Sequence, residues 1–450
     1  MELLEKTRKF IFFLFVSFLM GSAGTTVFWA FPSCVCASGQ TYYVATTGSD
    51  ANVGDEGHPW RTLQHAVESI GPGDTILVQS GTYRGCRIEF SGASTGWKTL
   101  KAAPDAHVIV YAPGPSNKHQ SNIEIETWEG SGIVAYWTIQ NLEVSNAPQW
   151  GIDVRGNETS HSHHINILSN NVHDNGLQSG KTGIFTAFVD YLWISNNECY
   201  RNGEHGIYLS NSGDYPTVTG NRLHHNTDCG LQMNGDVSMG GDGLIAGGFV
   251  EGNIIYENGK GGGAGINLDG VVNTCVCNNL LYNNHAGGIA LFQENGAVGS
   301  RNNQIYNNTI VMPNDGRWAL RISDASCINN HLINNIIITS NPSKGSIVIP
   351  VTKLSGFESD YNIVVNRLSA DGDAHLLTLE QWKALGYDRH SFISSLEDLF
   401  VNPSENDYHL QKESPAIDKG ETLANVPHDL DGVSRPIGSG YDIGAYEYLR

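Results

Sequence analysis

Residues 253–258 read Asn-Ile-Ile-Tyr-Glu-Asn, and variants of this phrase return through the middle of the 450-residue chain. Each copy has an asparagine, any residue, an apolar residue, Tyr or His, any residue and a second asparagine. The leading asparagines are Asn141, Asn170, Asn197, Asn221, Asn253, Asn279, Asn308 and Asn335, with looser copies at both ends of the series. Their spacing of roughly 27 residues is typical of a stacked-repeat fold.

Every repeat also carries three short apolar runs. One run precedes the leading asparagine, as at residues 192–195, and one follows it, as at residues 254–256. The third begins at a glycine, and these glycines are Gly151, Gly183, Gly206, Gly230, Gly265 and Gly288. Alternation over three to five positions indicates short strands rather than helices. Three strands in each repeat predict an all-β fold, a parallel β-helix solenoid with three short strands per coil.

The asparagines suit the bends of such a coil. Asparagine tolerates the left-handed backbone conformation that a sharp bend needs. Its amide can also bond to the equivalent amide of the next coil. A stripe of Tyr and His follows the asparagines, and we expect these rings to stack for structural reasons.

Both flanks of the repeats carry distinctive segments. On the N-terminal side these are Tyr-Tyr-Val-Ala-Thr-Thr-Gly-Ser-Asp at 42–50, Pro-Trp-Arg-Thr-Leu-Gln-His-Ala at 59–66, Gly-Asp-Thr-Ile at 73–76 and Gly-Thr-Tyr at 81–83. On the C-terminal side they are Ser-Pro-Ala-Ile-Asp at 414–418, Asp-Leu-Asp-Gly at 429–432 and Tyr-Asp-Ile-Gly-Ala-Tyr-Glu at 441–447. With these flanks the chain resembles the right-handed parallel β-helix proteins of the pectin-lyase-like superfamily, secreted bacterial proteins with an N-terminal cap and an irregular C-terminal segment. One fold hosts many chemistries, so the resemblance implies an architecture rather than one activity.

The chain divides into four predicted parts. Three cations precede an apolar run at residues 10–20, and small residues follow at 35–37, which is typical of a signal peptide. The parts are the signal peptide at 1–37, the N-terminal cap and first coils at 38–119, the β-helix repeats at 120–345, and a C-terminal segment at 346–450 that packs on the solenoid. Short helices are expected at residues 62–70 and 377–385.

Export makes the expected location secreted or extracellular, with retention at the cell surface as an alternative. No other stretch is long and apolar enough to span a bilayer, so no stable membrane span is expected after the signal is removed. The net charge of −20 argues against a nucleic-acid partner and would repel an acidic polysaccharide unless cations bridge the two. A monomer is expected. Six cysteines would remain after cleavage, and their pairing is not readable from the sequence.

The resemblance implies a substrate groove along the exterior of the first strand stack, which matches the glycine-led runs. Because side chains alternate in a strand, Tyr208 and Ser210 point outward where Ile207 and Leu209 point inward. The first outward column is then Asp153, Phe185, Tyr208, Gln232, Asn267, Ala290 and Arg321. The second is Arg155, Ala187, Ser210, Asn234, Asp269, Phe292 and Ser323. Aromatic, amide and charged groups suit a polysaccharide, and the predicted substrate-binding residues are Asp153, Tyr208, Gln232, Asn234, Asn267 and Phe292. The alternative is that the amides only support neighbouring coils.

A glycine-rich excursion at residues 235–248 carries two carboxylates beside this face. Asp236 and Asp242 leave the strand just after Asn234, and Asp269 follows one coil later. These three carboxylates could bind Ca²⁺, which prefers hard oxygen ligands. Asp236 and Asp269 should lie roughly 8 Å apart, a separation that also suits an inverting glycoside hydrolase. Both could instead be ordinary turn residues.

The resemblance also implies that a lyase of this fold would use Lys or Arg as its base. Lys260, which leads into the strand bearing Asn267 and Asp269, is the preferred candidate. Arg321 and His285 are the next candidates, and Asp236 and Asp269 complete the predicted catalytic set. Calcium-dependent β-helix lyases tend to have adjacent aspartates, and this chain has no Asp-Asp pair.

Three functions are therefore open at this point. The first is a secreted lyase that cleaves uronate-containing polysaccharides by β-elimination. The second is a non-catalytic extracellular protein that binds glycans or mediates surface contact. The third is an inverting glycoside hydrolase.

Overall fold

The computed structural model describes residues 39–127 and 132–449, and the predicted signal peptide lies outside them. Three parallel sheets run the length of the described chain, and each coil adds one short strand to every sheet. The predicted parallel β-helix is therefore confirmed. The regular coils extend beyond residues 120–345 on both sides.

The first sheet contains the glycine-led runs and has ten strands. They are Cys86–Ile88, Ile123–Ile125, Ile152–Arg155, Ile184–Ala187, Ile207–Ser210, Leu231–Asn234, Ala264–Asp269, Gly287–Phe292, Leu320–Ile322 and Ile347–Val348. The second sheet has thirteen strands. They are Thr41–Val44, Thr75–Val78, Lys98–Ala102, Ala135–Gln140, Ser162–Leu168, Val189–Asp190, Trp193–Ser195, Thr217–Thr219, Phe249–Glu251, Cys275–Cys277, Gln304–Tyr306, His331–Ile333 and Glu358–Asp360.

The third sheet has twelve strands. They are Gly81–Arg84, Val108–Ala112, Glu143–Ser145, Asn171–His173, Glu198–Tyr200, Arg222–His224, Ile254–Tyr256, Leu280–Tyr282, Thr309–Met312, Ile336–Thr339, Ile363–Val364 and Phe392–Ile393. Two small pairings complete the strands, Ile245–Ala246 with Val271–Val272, and Phe400–Asn402 with Asp407–Leu410.

Buried asparagines line the bend between the second and third sheets. They are Asn170, Asn197, Asn221, Asn253, Asn279, Asn308, Asn335 and Asn362. Each amide nitrogen before Asn362 donates to the amide oxygen of the next member at 2.9–3.1 Å. A second ladder, Asn175, Asn202, Asn226, Asn258 and Asn284, lines the bend between the third and first sheets. The predicted bonding of amides from coil to coil is confirmed.

The left-handed bend itself lies one residue earlier than expected. Positive φ occurs at the residues directly before the leading asparagines, which are Ser169, Asn196, Gly220, Gly252, Asn278, Asn307 and Asn334. The ladder asparagine is needed for its inward amide, not for its backbone conformation. Asn141 is itself left-handed, and Leu142 takes the position that bonds to Asn170. The assignment of Asn141 as a leading asparagine was therefore wrong by one residue.

The Tyr and His stripe forms a continuous stack on the outside of the third sheet. His173, Tyr200, His224, Tyr256 and Tyr282 follow one another with ring centroids 4.6–4.9 Å apart and nearly parallel planes. The prediction of structural stacking is confirmed.

Both ends of the solenoid are covered. Helix α1, Leu63–Ser69, starts at Thr62, whose side chain accepts from the His65 amide, and it buries Leu63 and Ala66 against the first coils. Helix α2, Leu379–Ala384, buries Trp382 near the far end, and helix α3 is Leu396–Leu399. Two 3-10 helices are Val237–Met239 and Pro403–Glu405. Both helices expected from the sequence are present.

The C-terminal segment folds back along the outside of the third sheet. Ile443 and Ala445 pack with Ile336 there, and the Asn334 amide donates to the Glu421 carbonyl at 2.8 Å. All six cysteines in the described chain are free thiols. Across residues 39–127 and 132–449, the helices are too short and too polar to cross a membrane.

Replacing Asn253 with alanine should show how much the asparagine ladder contributes to the free energy of unfolding. The change removes the acceptor of the Asn221 backbone and side-chain amides and a donor to the Val218 carbonyl, all buried groups of the preceding coil. Unsatisfied buried groups are expensive, so we expect the free energy of unfolding to fall by about 3 kcal/mol in urea titrations. Asn166→Ala, on the partly exposed face of the second sheet, should change it by less than about 0.5 kcal/mol. Equal effects of the two changes would contradict a structural role specific to the ladder.

Candidate functional site

The strand register of the first sheet confirms both predicted outward columns. Asp153 pairs with Phe185, and successive pairings continue the first column through Tyr208, Gln232, Asn267, Ala290 and Arg321. The second column runs from Arg155 to Phe292 in the same way. Residues between them, such as Leu209 and Met233, are buried in the core. Side chains from distant parts of the chain therefore line one face.

The N-terminal end of this face is closed by paired charges, so Asp153 is unavailable to a substrate. The Asp153 side chain is fully buried and accepts from Arg155 Nε at 2.9 Å and from the Ser121 hydroxyl at 3.2 Å. Burial raises the pKa of Asp153, and the Arg155 guanidinium opposes that rise. Arg155 in turn lies over the Phe185 ring, 4.7 Å from its centroid. The prediction that Asp153 binds substrate is wrong, because the carboxylate holds Arg155 in place.

Charged residues just upstream belong to the same closed end and escaped the sequence reasoning. Arg87 pairs with Glu124 at 3.0 Å with both side chains fully buried. His119, Glu124 and Glu126 bring three donor atoms within 4.8 Å of one another. Their oxygens are already engaged, because Glu124 also accepts from two backbone amides and Glu126 accepts from His119. These residues were missed because strands 86–88 and 123–125, which carry Arg87 and Glu124, were not recognised as members of the first sheet.

In the middle of the face, the side-chain amides of Gln232, Asn234 and Asn267 lie around Tyr208. Tyr208 is partly exposed, and its hydroxyl accepts from Asn234 Nδ2 at 3.2 Å. Asn234 and Gln232 are mostly buried, whereas Asn267 is half-buried and donates to the Cys229 sulfur at 3.2 Å. Tyr208 and Asn267 are therefore the predicted binding residues that remain accessible here, while Gln232 and Asn234 mainly support them.

The three predicted metal ligands do not converge. Asp269 has no exposed surface, and its carboxylate accepts three backbone amides, from Glu294 at 2.9 Å, Asn295 at 2.7 Å and Gly296 at 3.1 Å. Asp236 caps the short helix at 237–239, and Asp242 accepts from the Leu244 amide.

Of all described His, Cys, Asp and Glu side chains, only the His119 group gathers three donor atoms. The expected calcium site of Asp236, Asp242 and Asp269 is therefore not formed. The same burial removes Asp269 from a catalytic pair with Asp236. The three aspartates fix loops instead.

A cleft of about 430 Å³ opens over the C-terminal coils of the first sheet. Three predicted residues line it, namely Asn267, Phe292 and Arg321. Residues that the sequence reasoning missed line it too, namely Arg317, Trp318, Glu294 and Asp324. Arg317 and Arg321 are exposed, and neither guanidinium forms a hydrogen bond or ion pair with the described residues. The cleft thus presents two unpaired cations beside an aromatic ring and an amide.

Lys260 and His285 line an adjoining depression of about 470 Å³ that shares Arg317 with the cleft. Lys260 is exposed in the glycine loop. His285 bonds to Asp315 at 2.8 Å and to Glu257 at 2.9 Å. Burial alone would lower the pKa of His285, but these two carboxylates raise it overall. Both ring nitrogens of His285 are bonded to carboxylates, so neither is free to take a proton from a substrate, and the prediction of His285 as the base is wrong.

Arg317 and Trp318 escaped the sequence reasoning because their repeat has lost its glycine. The amide of Gly288 donates to the Trp318 carbonyl, and Ile289 pairs with Leu320. Ala319 therefore takes the position that glycine holds in earlier coils. The predicted columns reached this coil at Arg321 but covered only strand positions, and Arg317 and Trp318 precede the strand Leu320–Ile322.

A buried histidine beneath the middle of the face gives a testable pH dependence. His205 packs edge-on against Tyr208 and accepts from the Cys229 amide at 3.1 Å through Nδ1. Burial lowers the pKa of His205 to about 3. Below pH 6.5 the unfolded chain binds a proton at this residue that the folded chain does not, so stability falls as the pH falls.

His205→Gln keeps a side-chain acceptor and removes the titration. Between pH 7 and pH 5 we expect its unfolding free energy to fall by roughly 2 kcal/mol less than that of the parent. Urea titrations at each pH measure this difference. His58→Gln, at an exposed site, should follow the parent. Parallel curves for the parent and His205→Gln would rule out this source of acid sensitivity.

Comparison with known proteins now adds to this geometry. A family model described as a Pel9A-like, right handed beta helix region matches residues 42–323. The uncharacterized protein YwoF of Bacillus subtilis (strain 168) is 26% identical over 442 residues, which cover 84% of this chain and 92% of the relative.

Two solved structures share the architecture. The crystal structure of pectate lyase Pel9A aligns with a TM-score of 0.64 at 17% identity, over 92% of this chain and 97% of that chain. A rhamnogalacturonan lyase aligns with a TM-score of 0.51 at 14% identity, over 72% of this chain and 87% of that chain. At such identities these likenesses establish the fold, and the family match confirms the right-handed β-helix predicted from the sequence.

Proposed function

Because the chain belongs to the Pel9A-like right-handed β-helix family, we propose that it is a polysaccharide-active enzyme, a lyase that cleaves uronate-containing glycans by β-elimination. The observation that carries the proposal is the cleft at the C-terminal coils, where Arg317 and Arg321 stand exposed and unpaired by described residues. The names of the structural neighbours, a pectate lyase and a rhamnogalacturonan lyase, support the substrate class.

Two unpaired arginines explain how a protein with a large negative charge can bind an acidic substrate. A chain of net charge −20 repels a polyuronate at long range, so attraction must be local. A guanidinium binds a carboxylate through two parallel hydrogen bonds, which fixes its orientation as well as its charge. Phe292 offers an apolar ring to a sugar face, and Asn267 offers an amide to its hydroxyl groups.

The arginines would also assist the reaction. In β-elimination a base removes the proton from the carbon next to the carboxylate, and the electron pair forms a carbon–carbon double bond as the glycosidic oxygen leaves. Negative charge grows on the carboxylate during the first step. Preorganised donors aimed at such a position stabilise the transition state more than the ground state. Arg317 and Arg321 have this role in the proposal.

Lys260 is the proposed base, because it lines the depression that shares Arg317 with the cleft. No step is assigned to a calcium ion, because the carboxylates expected to hold it are committed to backbone amides. Export through the segment at residues 1–37, giving an extracellular location, and a monomeric state are parts of the same proposal.

A specific feature of the cleft favours glycoside hydrolysis as the second candidate. Glu294 and Asp324 line the same cleft from adjacent coils. Two carboxyl groups across a glycosidic bond are what an inverting hydrolase requires. The two reactions differ in product, since only elimination creates the unsaturated uronate that absorbs ultraviolet light.

The cleft arginines should control activity on uronate glycans. We expect Arg321→Ala and Arg317→Ala each to lower kcat/KM by roughly 100-fold, because each removes a donor to the developing charge. Arg321→Lys should retain part of the activity. Absorbance of the unsaturated product on a panel of uronate glycans measures this, and Arg389→Ala, an exposed arginine of the C-terminal segment, is the matched control.

The same panel decides between the candidate functions. Reducing ends released without ultraviolet absorbance would replace the lyase by a hydrolase. Glycan binding without any turnover by the parent would make the protein a non-catalytic binder.

Lys260→Ala separates catalysis from binding. If Lys260 is the base, kcat should fall by roughly 10²- to 10⁴-fold while the KM stays within about twofold. Lys412→Ala, an exposed lysine far along the chain, should leave both constants unchanged. A KM effect alone would instead assign Lys260 to substrate binding.

A further inference from the structure

One bend of the coil is made by two different kinds of residue. The residue at this bend lies two positions before a row of residues that pair from strand to strand in the second sheet. The bend recurs in nine successive coils, with φ between 49° and 67°. Its residues are Tyr136, His164, Tyr191, Tyr215, Gly247, Asn273, Asn302, Asn329 and Gly356. The first four are aromatic, and the last five are glycine or asparagine.

The aromatic residues are not there because the bend requires them. Left-handed backbone favours glycine and asparagine, and it is a genuine outlier for bulky side chains. The five downstream coils make the same bend with the favoured residues. Three of the four aromatic coils therefore keep a tyrosine where this backbone conformation is unfavourable, and strain retained in this way points to a function for the side chains.

The rings form an ordered row on the surface. Centroids are 5.0 Å apart between Tyr136 and His164, and 4.9 Å apart for each of the next two pairs. Trp97 meets the first ring edge-on at 5.7 Å. Tyr191 and Tyr215 are 51% and 52% exposed, although stacking along the row already covers part of each ring. We call Trp97, Tyr136, His164, Tyr191 and Tyr215 the aromatic strip.

We propose that the aromatic strip is a docking site for an uncharged polysaccharide, separate from the catalytic cleft. One ring per coil gives a straight array parallel to the solenoid axis, which matches a linear polymer of sugar rings. Every ring of the strip carries a polar atom at its edge, as binding to a surface rich in hydroxyl groups requires. The proposal does not depend on the reaction in the cleft.

The charges beside the strip decide the class of polysaccharide. Asp190 and Asp214 directly precede Tyr191 and Tyr215, and Asp214 feels the further charge of Asp242. His161 bonds to Asp190 at 2.9 Å, which leaves the aspartates in excess. This acidic border repels polyuronates and anionic lipids alike. A neutral glycan is the partner that the strip fits.

Substitution by the residue used in neighbouring coils gives a clean test. The double variant Tyr191→Asn/Tyr215→Asn relieves two left-handed tyrosines and follows the solution found at Asn273 and Asn302, so it should fold with an equal or higher melting temperature. The full-length protein would be incubated with microcrystalline cellulose, insoluble xylan and insoluble mannan, and the bound fraction measured by depletion. Tyr111→Asn, which removes an exposed tyrosine from the third sheet, is the matched control.

We expect the parent and the control to bind at least one of these neutral solids, and the double variant to bind it roughly tenfold more weakly. Activity on soluble uronate glycans should be the same in all three proteins. Absence of parental binding to every neutral solid, or equal binding by the double variant, would overturn the proposal. Tyrosine-dependent capture by phosphatidylglycerol vesicles or by a polygalacturonate gel, without capture by the neutral solids, would overturn it as well.

Discussion

The buried asparagine ladders are the interaction on which the rest of the molecule depends. A coil of about 27 residues must bend three times, and each bend exposes backbone donors and acceptors to an apolar interior. In the bend between the second and third sheets, the Asn197 side chain accepts from the Asn170 backbone amide of the coil before and donates to the Ile167 carbonyl and to the Asn221 side chain. Unpaired groups of this kind would each cost free energy comparable to a lost hydrogen bond. At this bend one residue per coil makes these bonds, and the second ladder repeats the arrangement at the bend between the third and first sheets.

The ladders also fix the register of the sheets, and register is what creates a surface for chemistry. A slip of one residue in a strand moves every side chain to the opposite face. The amide-to-amide bonds hold each coil at one rotation relative to the next, so Asn267 and Arg321 line one cleft although 54 positions separate them in the sequence. The first coils show that a coil can keep its position without an asparagine of its own. Leu142 occupies the ladder position there, and its backbone amide still donates to Asn170.

The sequence was sufficient for everything that follows from the repeat. Periodicity gave the strands, alternation gave the two outward columns, and the register of the folded chain reproduces both. What periodicity could not give is the position of the loops that cover the columns. Asp269 was correctly placed on the outward face, yet the loop at residues 293–296 folds over it and uses its carboxylate as an anchor. Asp153 is likewise unavailable to a substrate, because its carboxylate is bonded to Arg155.

Electrostatics explains why the C-terminal cleft remains the strongest candidate site. Some arginines are neutralised by nearby carboxylates, as in the fully buried pair of Arg435 with Glu447 at 2.7 Å and in Arg201 with Asp174 at 2.6 Å, whereas others, such as Arg84 and Arg367, bond to backbone carbonyls. The chain has 46 Asp and Glu residues and 26 Lys and Arg residues, so carboxylates outnumber the cations with which they can pair. The cleft differs from these isolated arginines in bringing two guanidiniums, unpaired by the described residues, into one concave site beside Phe292 and Asn267. An external carboxylate is the group that would complete them. At the aromatic strip Asp190 and Asp214 have no unpaired Lys or Arg beside them among the described residues, and this arrangement selects against a carboxylate.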